Sequence, residues 1–300
     1  MADPLYVLLG ATGHVGGGIA ARLLDQKRRV RVVGRSAERL ASLAARGAEV
    51  ATGSLEDPAF AARALAGAGA AFLLIPPQVT APSFRAYQAG VVDALARAVE
   101  AARPGHVVTL SSIGAQLAAG NGPIAALHEM EQRLAAVKGV SVLHLRPGFF
   151  MENHLGSVGM VKQMGILGSA IRADLPMQTI ATRDIAEVGA RRLAALDFQG
   201  QGALELMGPR DVTMAEVARA LGRAIGKPDL PYVQFPYDQA RQGMIGAGLR
   251  PDMADLYVEM SRGFNEGIVR PTQPRSPATT TPTTIERFAE EVFAPAFRAA

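Results

Sequence analysis

The chain contains 300 residues with a mass of 31.4 kDa, of which 49% are hydrophobic, 19% charged and 5% aromatic. This length suits one or two domains, and a core of that size needs no cross-links. The absence of cysteine excludes disulfides, a thiolate nucleophile and metal sites that need sulfur ligands. The net charge of +4 comes mainly from arginine, which GC-rich genomes encode frequently, so no nucleic-acid partner is expected.

Short apolar runs alternate with amphipathic stretches along the first half of the chain. The predicted strands are Tyr6–Leu9, Val30–Val33, Ala48–Ala51, Ala71–Ile75, Val107–Leu110 and Val140–Leu145. The predicted helices between them include Val15–Leu24, Pro58–Leu65 and Phe84–Ala102. Continuous apolar strands separated by helices are typical of a parallel sheet that is covered on both faces. With right-handed crossovers they predict an α/β protein with a doubly wound parallel sheet of the Rossmann type.

Helical patterns dominate the second half. Strands are predicted at Gln178–Ala181 and Ala203–Leu206, and a helix at Asp184–Ala195 with Thr182 as its cap. Two capping boxes begin further helices, at Thr213 to Glu216 and at Thr283 to Glu286. The first of these helices runs to Ile225 before Gly226, the second runs through Phe293, and the proline-rich stretch Pro228–Pro282 is predicted to be a loop-rich region or a lid. We therefore predict a nucleotide-binding domain over residues 1–150. Residues 151–300 form a smaller, discontinuous substrate lobe, part of which packs back on the sheet.

No targeting or membrane segment is apparent in the sequence. The first residues lead directly into an apolar strand without a basic segment or a cleavage site. The longest apolar stretch, Ala64–Ile75, is interrupted by two glycines and is shorter than the ~20 residues of a membrane span. We expect a cytoplasmic protein with no membrane partner.

A glycine-rich turn follows the first predicted strand. Gly10 permits a tight turn, Gly13 lets the backbone approach a pyrophosphate, and Gly16 lets helix and strand pack closely. The helix that begins here offers N–H groups and a positive dipole end to phosphates. The predicted phosphate-binding residues are Gly10, Ala11, Thr12, Gly13, His14, Val15 and Gly16.

The end of the second strand favours NADP(H) over NAD. A fold that prefers NAD carries an acidic residue about 20 residues beyond the loop to bind the ribose 2′-hydroxyl. This chain has Gly34, Arg35 and Ser36 there, which leave room for a 2′-phosphate and can donate hydrogen bonds to it. Arg39 is a candidate second cation. From Arg22 to Arg39 the chain carries seven basic and two acidic residues, so we expect a positive region beside the phosphate.

The glycine turn and several later motifs resemble the NmrA-like group of atypical short-chain dehydrogenases, which includes NADPH-dependent quinone reductases, azoreductases and nucleotide-sensing regulators. The resemblance covers nearly the whole chain. It also rests on Val33-Gly-Arg35, Ser111-Ser112, Leu145-Arg-Pro-Gly-Phe-Phe-Met-Glu-Asn153, Thr182-Arg-Asp-Ile-Ala186, Leu206 to Thr213 and Thr281 to Phe288. It implies that NADP(H) also contacts Ser54, Leu55, Ile75, Pro76, Pro77, Pro147 and Gly148.

The chain departs from the resembling proteins at two places. Relatives carry Asp-Leu after the third strand, where this chain has Ser54-Leu55, so a hydrogen bond to adenine is weaker or is made by the backbone. The wider superfamily uses a Tyr-x-x-x-Lys pair on the helix after the fifth strand, and the Tyr protonates the substrate oxygen. The five tyrosines here, at positions 6, 87, 232, 237 and 257, all lie outside that helix. The sequence therefore excludes an alcohol dehydrogenase that uses a Tyr/Lys pair.

Hydride transfer to an acceptor that needs little acid assistance remains available. Quinones, azo compounds and conjugated enones fit, because their reduced anions are delocalised. His128 is the candidate proton donor, since histidine is the residue type that most often donates or accepts protons in catalysis; a packing or solvent role for this histidine stays open. His14 contacts cofactor or solvent, whereas His106 and His144 are structural. No metal-ligand spacing occurs, so no metal site is predicted.

The acceptor is expected to be a flat, apolar or aromatic electrophile. Its predicted pocket consists of Ser112, which the resemblance supports, and of Phe149, Phe150, Met151, Asn153, His154, Tyr232 and Tyr237, with Met160, Met164 and Phe235 as further contributors. A crevice lined by Phe and Met suits such a ligand. Each of these apolar residues can equally belong to the core.

Three functions stay open from the sequence. The first is an NADPH-dependent reductase of quinone-like, azo or conjugated carbonyl compounds. The second is a regulator that senses NADP(H), binds a protein partner and does not turn over. The third is an isomerase or dehydratase that uses His128 as a base without net redox. The sequence also leaves open whether the protein is a homodimer.

Overall fold

A computed structural model describes residues 3–300. The chain divides into two compact units. The first contains the chain up to Ala118, then Ile124–Arg146 and Ile185–Leu204, and the second contains Ala119–Pro123, Pro147–Asp184 and Glu205–Ala300. Within residues 3–300, no helix combines the length and the apolar composition that a membrane crossing requires.

The first unit alternates strands and helices as the sequence predicts. Its strands are β1 (Leu5–Leu9), β2 (Arg29–Gly34), β3 (Glu49–Thr52), β4 (Ala70–Leu73), β5 (His106–Leu110) and β6 (Ser141–Pro147). Its helices are α1 (His14–Asp25), α2 (Ala37–Ala45), α3 (Pro58–Leu65), α4 (Phe84–Ala102) and α5 (Ala125–Ala135). The boundaries lie within a few residues of the predicted ones, and α4 matches its prediction at both ends.

The parallel sheet has the strand order of a doubly wound fold. Seven strands lie in the order β10-β6-β5-β4-β1-β2-β3, where β10 is Gln201–Leu206. Strand β1 pairs in parallel with β2 on one side and with β4 on the other. The doubly wound α/β prediction is therefore confirmed. The strand order reverses between β1 and β4, and ligands of such sheets bind at the carboxyl ends of the strands at this point. The turn after β1, which begins at Gly10, and the segment after β4 both lie there.

The core of the first unit packs α3, α4 and α5 against the sheet. The side chains of Val7, Leu73 and Val107 on three adjacent strands are fully buried, as are Val91 and Leu95 of α4. Strands buried on both faces carry few polar residues, which explains why their sequences read as continuous apolar runs.

The second unit contains smaller sheets and most of the remaining helices. One sheet has the order β11-β9-β7, and a second pairs β12 with β8. Its strands are β7 (Phe149–Phe150), β8 (Leu167–Ser169), β9 (Met177–Ile180), β11 (Asp211–Val212) and β12 (Tyr232–Gln234). The helices α6 (Val158–Met164), α8 (Met214–Ala224), α9 (Tyr237–Gly246) and α10 (Pro251–Asn265) belong to it, while α7 (Thr182–Ala195) begins in it and continues into the first unit.

One of the two predicted capping boxes is correct and the other is shifted. Thr213 caps α8, and Glu216 accepts its backbone N–H at 2.8 Å, as predicted. The last helical region is capped by Thr284, not by Thr283. The reason is that the Asp184 carboxylate accepts both the N–H and the hydroxyl of Thr283, at 2.9 and 2.8 Å.

The last helical region also extends further than predicted. It begins as α11 (Ile285–Phe288), widens into a π-helical turn at Ala289–Phe293, and continues as α12 (Ala294–Ala299). Pro295 has no N–H to donate within the helix, which accounts for the irregular hydrogen bonding before it.

The proline-rich stretch Pro228–Pro282 is more ordered than a loop or lid. It contains α9 and α10, and Pro251 occupies the first turn of α10, where a missing N–H has no cost. All residues of α9 remain at least partly exposed, so that helix contributes little to the core.

Prediction on Gly16. A methyl group at Gly16 would lie 2.5 Å from the Gly10 carbonyl oxygen and 2.6 Å from that of Leu9. We expect Gly16→Ala to lower the free energy of unfolding by about 1–3 kcal/mol, because both contacts are with backbone. The measurement is urea unfolding followed by far-UV circular dichroism. The control is Gly90→Ala in α4, where a methyl group meets nothing within 4 Å and where we expect a stabilisation of ~0.4–1 kcal/mol. Equal effects at the two positions would contradict this account of the turn.

Candidate functional site

The turn after β1 has the geometry that its three glycines predict. Gly10 adopts φ +64°, a left-handed conformation that glycine tolerates best, and its carbonyl accepts the N–H of Gly13 at 2.9 Å. A side chain at Gly10 would also collide with Leu74 at the end of β4. At Gly13, in contrast, the nearest atom to an added methyl is 3.4 Å away, so this face of the turn is open.

At the amino terminus of α1, no side chain of residues 3–300 takes the place that a bound anion would occupy. Gly13 is the N-cap of this helix, its first turn contains no acidic residue, and within the described part of the chain no side chain caps it. Ala11 and Val15 are buried below the turn, whereas Gly13 and His14 are exposed. Free N–H groups and the helix dipole at an exposed glycine turn fit a pyrophosphate.

Two arginines follow β2 and both donate to neutral oxygens. Arg35 donates from Nη1 to Gln78 Oε1 at 3.1 Å, and Arg39 donates from Nη2 to the Thr12 carbonyl at 3.3 Å. Ser36 caps α2 by accepting the N–H of Arg39, so its own hydroxyl proton is not consumed by that contact. Within residues 3–300 neither guanidinium has a carboxylate within 4.0 Å.

The positive region that the local sequence predicts is partly neutralised by distant carboxylates. Arg22 pairs with Glu187, Arg28 with Asp3, and Arg31 with Glu49, at 2.6, 2.7 and 2.9 Å. The positive charge expected beside the phosphate is therefore smaller than the local sequence indicates, because folding brings carboxylates that are far away in sequence to four of the six arginines of this segment. Among residues 3–300, Arg35 and Arg39 are the two arginines of the Arg22 to Arg39 segment that have no carboxylate within 4.0 Å, and both lie next to the glycine turn.

The segments that follow β3 and β4 lie at the same edge of the sheet as the glycine turn. Leu55 is buried and Ser54 is half-buried; the Ser54 hydroxyl accepts the N–H of Glu56 at 3.2 Å. After β4, the Tyr87 hydroxyl of α4 donates to the Pro76 carbonyl at 2.9 Å. Burial raises the pKa of the Tyr87 phenol; the Glu56 carboxylate adds to this rise, and the Arg35 guanidinium opposes it. The predicted cofactor contacts Ile75 and Pro76 are half-buried here, and Pro77 is exposed.

The two serines after β5 have different roles. Ser111 is buried and donates its hydroxyl to Glu131 Oε1 at 2.6 Å. Ser112 is half-buried and donates to the Ile113 carbonyl at 2.9 Å. Ser112 is thus the more accessible of the two hydroxyls, and its contact with a ligand stays a prediction.

The buried Glu131 forms an ion pair with the half-buried Arg146, which the sequence analysis missed. Arg146 donates from Nε to Glu131 Oε1 at 2.9 Å and from Nη2 to Oε2. Burial alone would raise the pKa of Glu131, but the hydrogen bonds from Arg146 and Ser111 and the nearby positive charge outweigh it and hold the pKa below its usual range. One signal was available: Glu131 lies four residues after Leu127 and three before Leu134, at the spacing of the buried face of α5.

His128 is fixed by a contact with the loop after β5. Its Nδ1 lies 2.8 Å from the Ala115 carbonyl oxygen, which can only accept, so Nδ1 carries the proton. Nε2 is then the atom that can accept or release a proton. The imidazole lines a cavity of about 300 Å³ between α4 and α5, together with Arg85, Gln88 and Glu129. His144 is buried and contacts Thr109, as expected for a structural histidine.

Pro147 to His154 lie in the second unit. Gly148 packs so closely on the Gln178 carbonyl that a side chain would not fit, and Met151 is buried. His154 is also buried, with its ring 5.5 Å from that of Phe149, and burial lowers its pKa to about 4. It is therefore neutral at pH 7 and cannot act there as an imidazolium donor. Phe149 and Phe150 are half-buried and Asn153 is exposed.

The hydroxyls of two predicted pocket tyrosines are engaged within the second unit. Tyr232 donates to the Ile171 carbonyl at 2.7 Å and lies 2.6 Å from Ser169 Oγ. Tyr237 accepts from Asn265 at 2.9 Å, and Arg262 lies over its ring. Their place in a substrate pocket stays a prediction, as it does for the other selected residues of this unit. Among residues 3–300 no group of three metal-ligating side chains is assembled.

The parallel sheet, its reversal at β1 and β4, and the glycine turn at that point define a Rossmann-type doubly wound α/β protein. The sequence matches the NmrA-like family over residues 4–289, and the chain belongs to that family.

Several proteins similar to this chain are reductases by name. It is 30% identical over 259 residues to an NAD(P)H azoreductase of Xenophilus azovorans, covering 85% of this chain and 86% of that protein. Its fold is similar to that of an NADPH-dependent quinone oxidoreductase of Escherichia coli complexed with NADPH, with a TM-score of 0.79 and 22% identity over 96% and 99% of the two chains. A triphenylmethane reductase of Citrobacter sp. complexed with NADP(H) gives a TM-score of 0.78 and 17% identity, over 96% and 99%.

Prediction on Glu131. Since the pKa of Glu131 is lowered by folding, its ion pair stabilises the protein above the pKa of an unfolded Glu, ~4.3, and this contribution is lost as the pH falls through the lower folded value. Glu131→Gln leaves the half-buried Arg146 beside a neutral amide. We expect it to lower the free energy of unfolding by ~3–5 kcal/mol at pH 7, and by less as the pH falls below 4.

The measurement is urea unfolding between pH 7 and pH 3. Glu129→Gln is the matched control on the same helix, because Glu129 is exposed; its effect should stay within about 0.5 kcal/mol. A difference between Glu131→Gln and the unmodified chain that does not depend on pH would contradict the assignment.

Proposed function

We propose that the protein is an NADPH-dependent reductase that delivers hydride to a quinone-like, azo or conjugated carbonyl acceptor. The observation that carries the proposal is the uncapped amino terminus of α1 behind an open glycine turn, at the point where the strand order reverses. The reductase names of proteins similar to this chain support the same function.

The first step of the proposal is that the glycine turn binds the pyrophosphate of the dinucleotide. Backbone N–H groups at the start of α1 donate to the phosphate oxygens, and the helix dipole favours their negative charge. Gly13 permits this approach because its exposed face carries no side chain. Gly16 keeps α1 against β1, so these N–H groups hold a fixed direction.

The second step is selection of the 2′-phosphate by the β2–α2 turn. Arg35 and Arg39 supply positive charge, and no carboxylate of the described part of the chain, residues 3–300, lies within 4.0 Å of either guanidinium. Ser36 retains a hydroxyl proton. A planar guanidinium can donate two hydrogen bonds to one phosphate. No acidic residue ends β2, so a 2′-phosphate meets no repulsion there.

The acceptor class follows from the residues of α5. This helix lacks the Tyr-x-x-x-Lys pair that protonates an alkoxide product. NADPH, when bound, supplies the hydride. An acceptor whose reduced form is a delocalised anion needs little acid assistance, and for it a weaker proton source suffices.

His128 is the proton source in this proposal. Its Nδ1 proton is held by the Ala115 carbonyl, which fixes the ring and leaves Nε2 to carry the transferable proton. Ser112, on the segment after β5, orients the acceptor through its hydroxyl. Both groups belong to the first unit, as do the glycine turn and Arg35.

Prediction on His128. The purified protein mixed with NADPH and a simple quinone should consume NADPH, followed as loss of its near-ultraviolet absorbance. We expect both His128→Ala and His128→Asn to lower kcat about 10²-fold. The Asn amide can still donate to the Ala115 carbonyl in place of Nδ1, but it has no counterpart of Nε2.

This pair of variants separates proton transfer from positioning. Full activity in His128→Asn would show that His128 only holds the loop after β5. Activity unchanged in both variants would remove His128 from the mechanism. Tight NADPH binding with no consumption across quinone, azo and enone acceptors would refute the reductase and favour a nucleotide sensor.

Prediction on Arg35. Arg35→Ala should weaken NADPH binding by roughly 1.5–3 kcal/mol through loss of a charge-assisted hydrogen bond, and should barely change NADH binding. Dissociation constants come from isothermal titration calorimetry. Arg29→Ala is the matched control, because it removes the same charge from β2 at an exposed arginine that pairs with Glu49. Equal losses for NADPH and NADH would show that Arg35 does not contact the 2′-phosphate.

A further inference from the structure

The segment after β4 contacts the Arg35 side chain, which follows β2. Because β1 lies between β4 and β2 in the sheet, this contact crosses the end of β1. Arg35 lies after β2, and Gln78 lies 43 residues later in the chain. The amide oxygen of Gln78 accepts from Arg35 Nη1 at 3.1 Å. An exposed arginine side chain has many rotamers of similar energy, so a single well-placed acceptor decides where its guanidinium lies.

Gln78 is itself held by a rigid segment. Pro76 and Pro77 restrict the backbone before it, and the Gln78 carbonyl accepts the N–H of Ala81 at 3.1 Å. The Tyr87 hydroxyl donates to the Pro76 carbonyl at 2.9 Å, and the Tyr87 ring packs against the core of the first unit. In the Arg35–Gln78 contact, the backbone that carries Gln78 is therefore anchored to the first unit and Gln78 is half-buried, whereas Arg35 is exposed.

The neutrality of Gln78 matters as much as its position. An amide oxygen orients the guanidinium without cancelling its charge, whereas a carboxylate in the same place would form an ion pair with it. Such a carboxylate would also lie within a few ångströms of any anion bound to Arg35, where like charges repel. Arg39 follows the same pattern, since its acceptor is the neutral Thr12 carbonyl.

We propose that Gln78 is a positioning residue for 2′-phosphate selection, which holds the Arg35 guanidinium toward the phosphate while leaving its charge uncancelled. This inference rests on the proposed function, in which Arg35 binds the 2′-phosphate. It adds that cofactor preference depends on a residue of the β4–α4 segment that acts through Arg35.

The test uses two small nucleotides that differ in the 2′-phosphate. Binding of adenosine 2′,5′-bisphosphate and of 5′-AMP to the full chain is measured by calorimetry. We expect Gln78→Glu to weaken the bisphosphate about tenfold and to leave 5′-AMP unchanged. Gln78→Ala, which removes the acceptor without adding charge, should weaken the bisphosphate about threefold.

Two controls make the result specific. Thr80→Glu adds the same charge two residues further along, at an exposed position without the contact to Arg35, and should change bisphosphate binding less than twofold. The effect of Gln78→Glu should shrink when salt is raised from 0.05 to 0.5 M, because screening weakens a Coulombic effect but not a packing defect. Circular dichroism verifies that the variants fold.

The outcomes separate this inference from the proposed function. If Gln78→Glu weakens both nucleotides equally, or only as much as Thr80→Glu, the role of Gln78 is overturned, and a selective loss in Arg35→Ala leaves the proposed cofactor site standing. If the unmodified chain binds the two nucleotides equally and Arg35→Ala changes neither, both the inference and the 2′-phosphate site of the proposed function are overturned.

Discussion

The close contact between the first turn of α1 and the carbonyl groups at the end of β1 exists only because position 16 carries no side chain. With a methyl group there, two backbone oxygens would lie 2.5 and 2.6 Å away, and the helix would have to move outward. The direction of the α1 amino terminus depends on this contact. So does the proposed phosphate site, because N–H groups that point elsewhere cannot converge on one anion. Leu74 against Gly10 adds a second constraint from β4, so the turn is held by both strands at the reversal point.

Carboxylate side chains join segments that are distant in sequence in both units. In the first unit, Glu131 receives the Ser111 hydroxyl and the Arg146 guanidinium, which joins α5 to the ends of β5 and β6. In the second unit, Glu152, Asp184 and Glu205 each accept the N–H and the hydroxyl of a distant threonine, namely Thr182, Thr283 and Thr272. Glu131, Asp184 and Glu205 are buried and Glu152 is half-buried. Taking a carboxylate out of water is costly unless its oxygens accept hydrogen bonds, so each of these contacts holds a segment in one position.

Charge at the proposed cofactor site is a product of folding rather than of composition. Most arginines of the Arg22 to Arg39 segment meet carboxylates from other parts of the first unit, such as Glu187 and Glu49. Arg35 and Arg39 instead meet neutral oxygens. The mild basic excess of the whole chain therefore says little about its ligands, whereas Arg35 and Arg39, which have no carboxylate within 4.0 Å among residues 3–300, place positive charge beside the glycine turn where we propose an anion to bind.

The sequence by itself determined the alternation of strands and helices, the glycine turn, the absence of an acid at the end of β2 and the lack of a Tyr/Lys pair in α5. These features are local, since hydrophobic period, turn chemistry and residue type act within a few positions. Only the tertiary structure decided that Ser111 is buried and Ser112 accessible, that Thr284 and not Thr283 caps the last helical region, and that Gln78 holds Arg35. Each of these outcomes depends on a partner between 20 and 99 residues away, and the approach of such partners is set by packing, which no local pattern encodes.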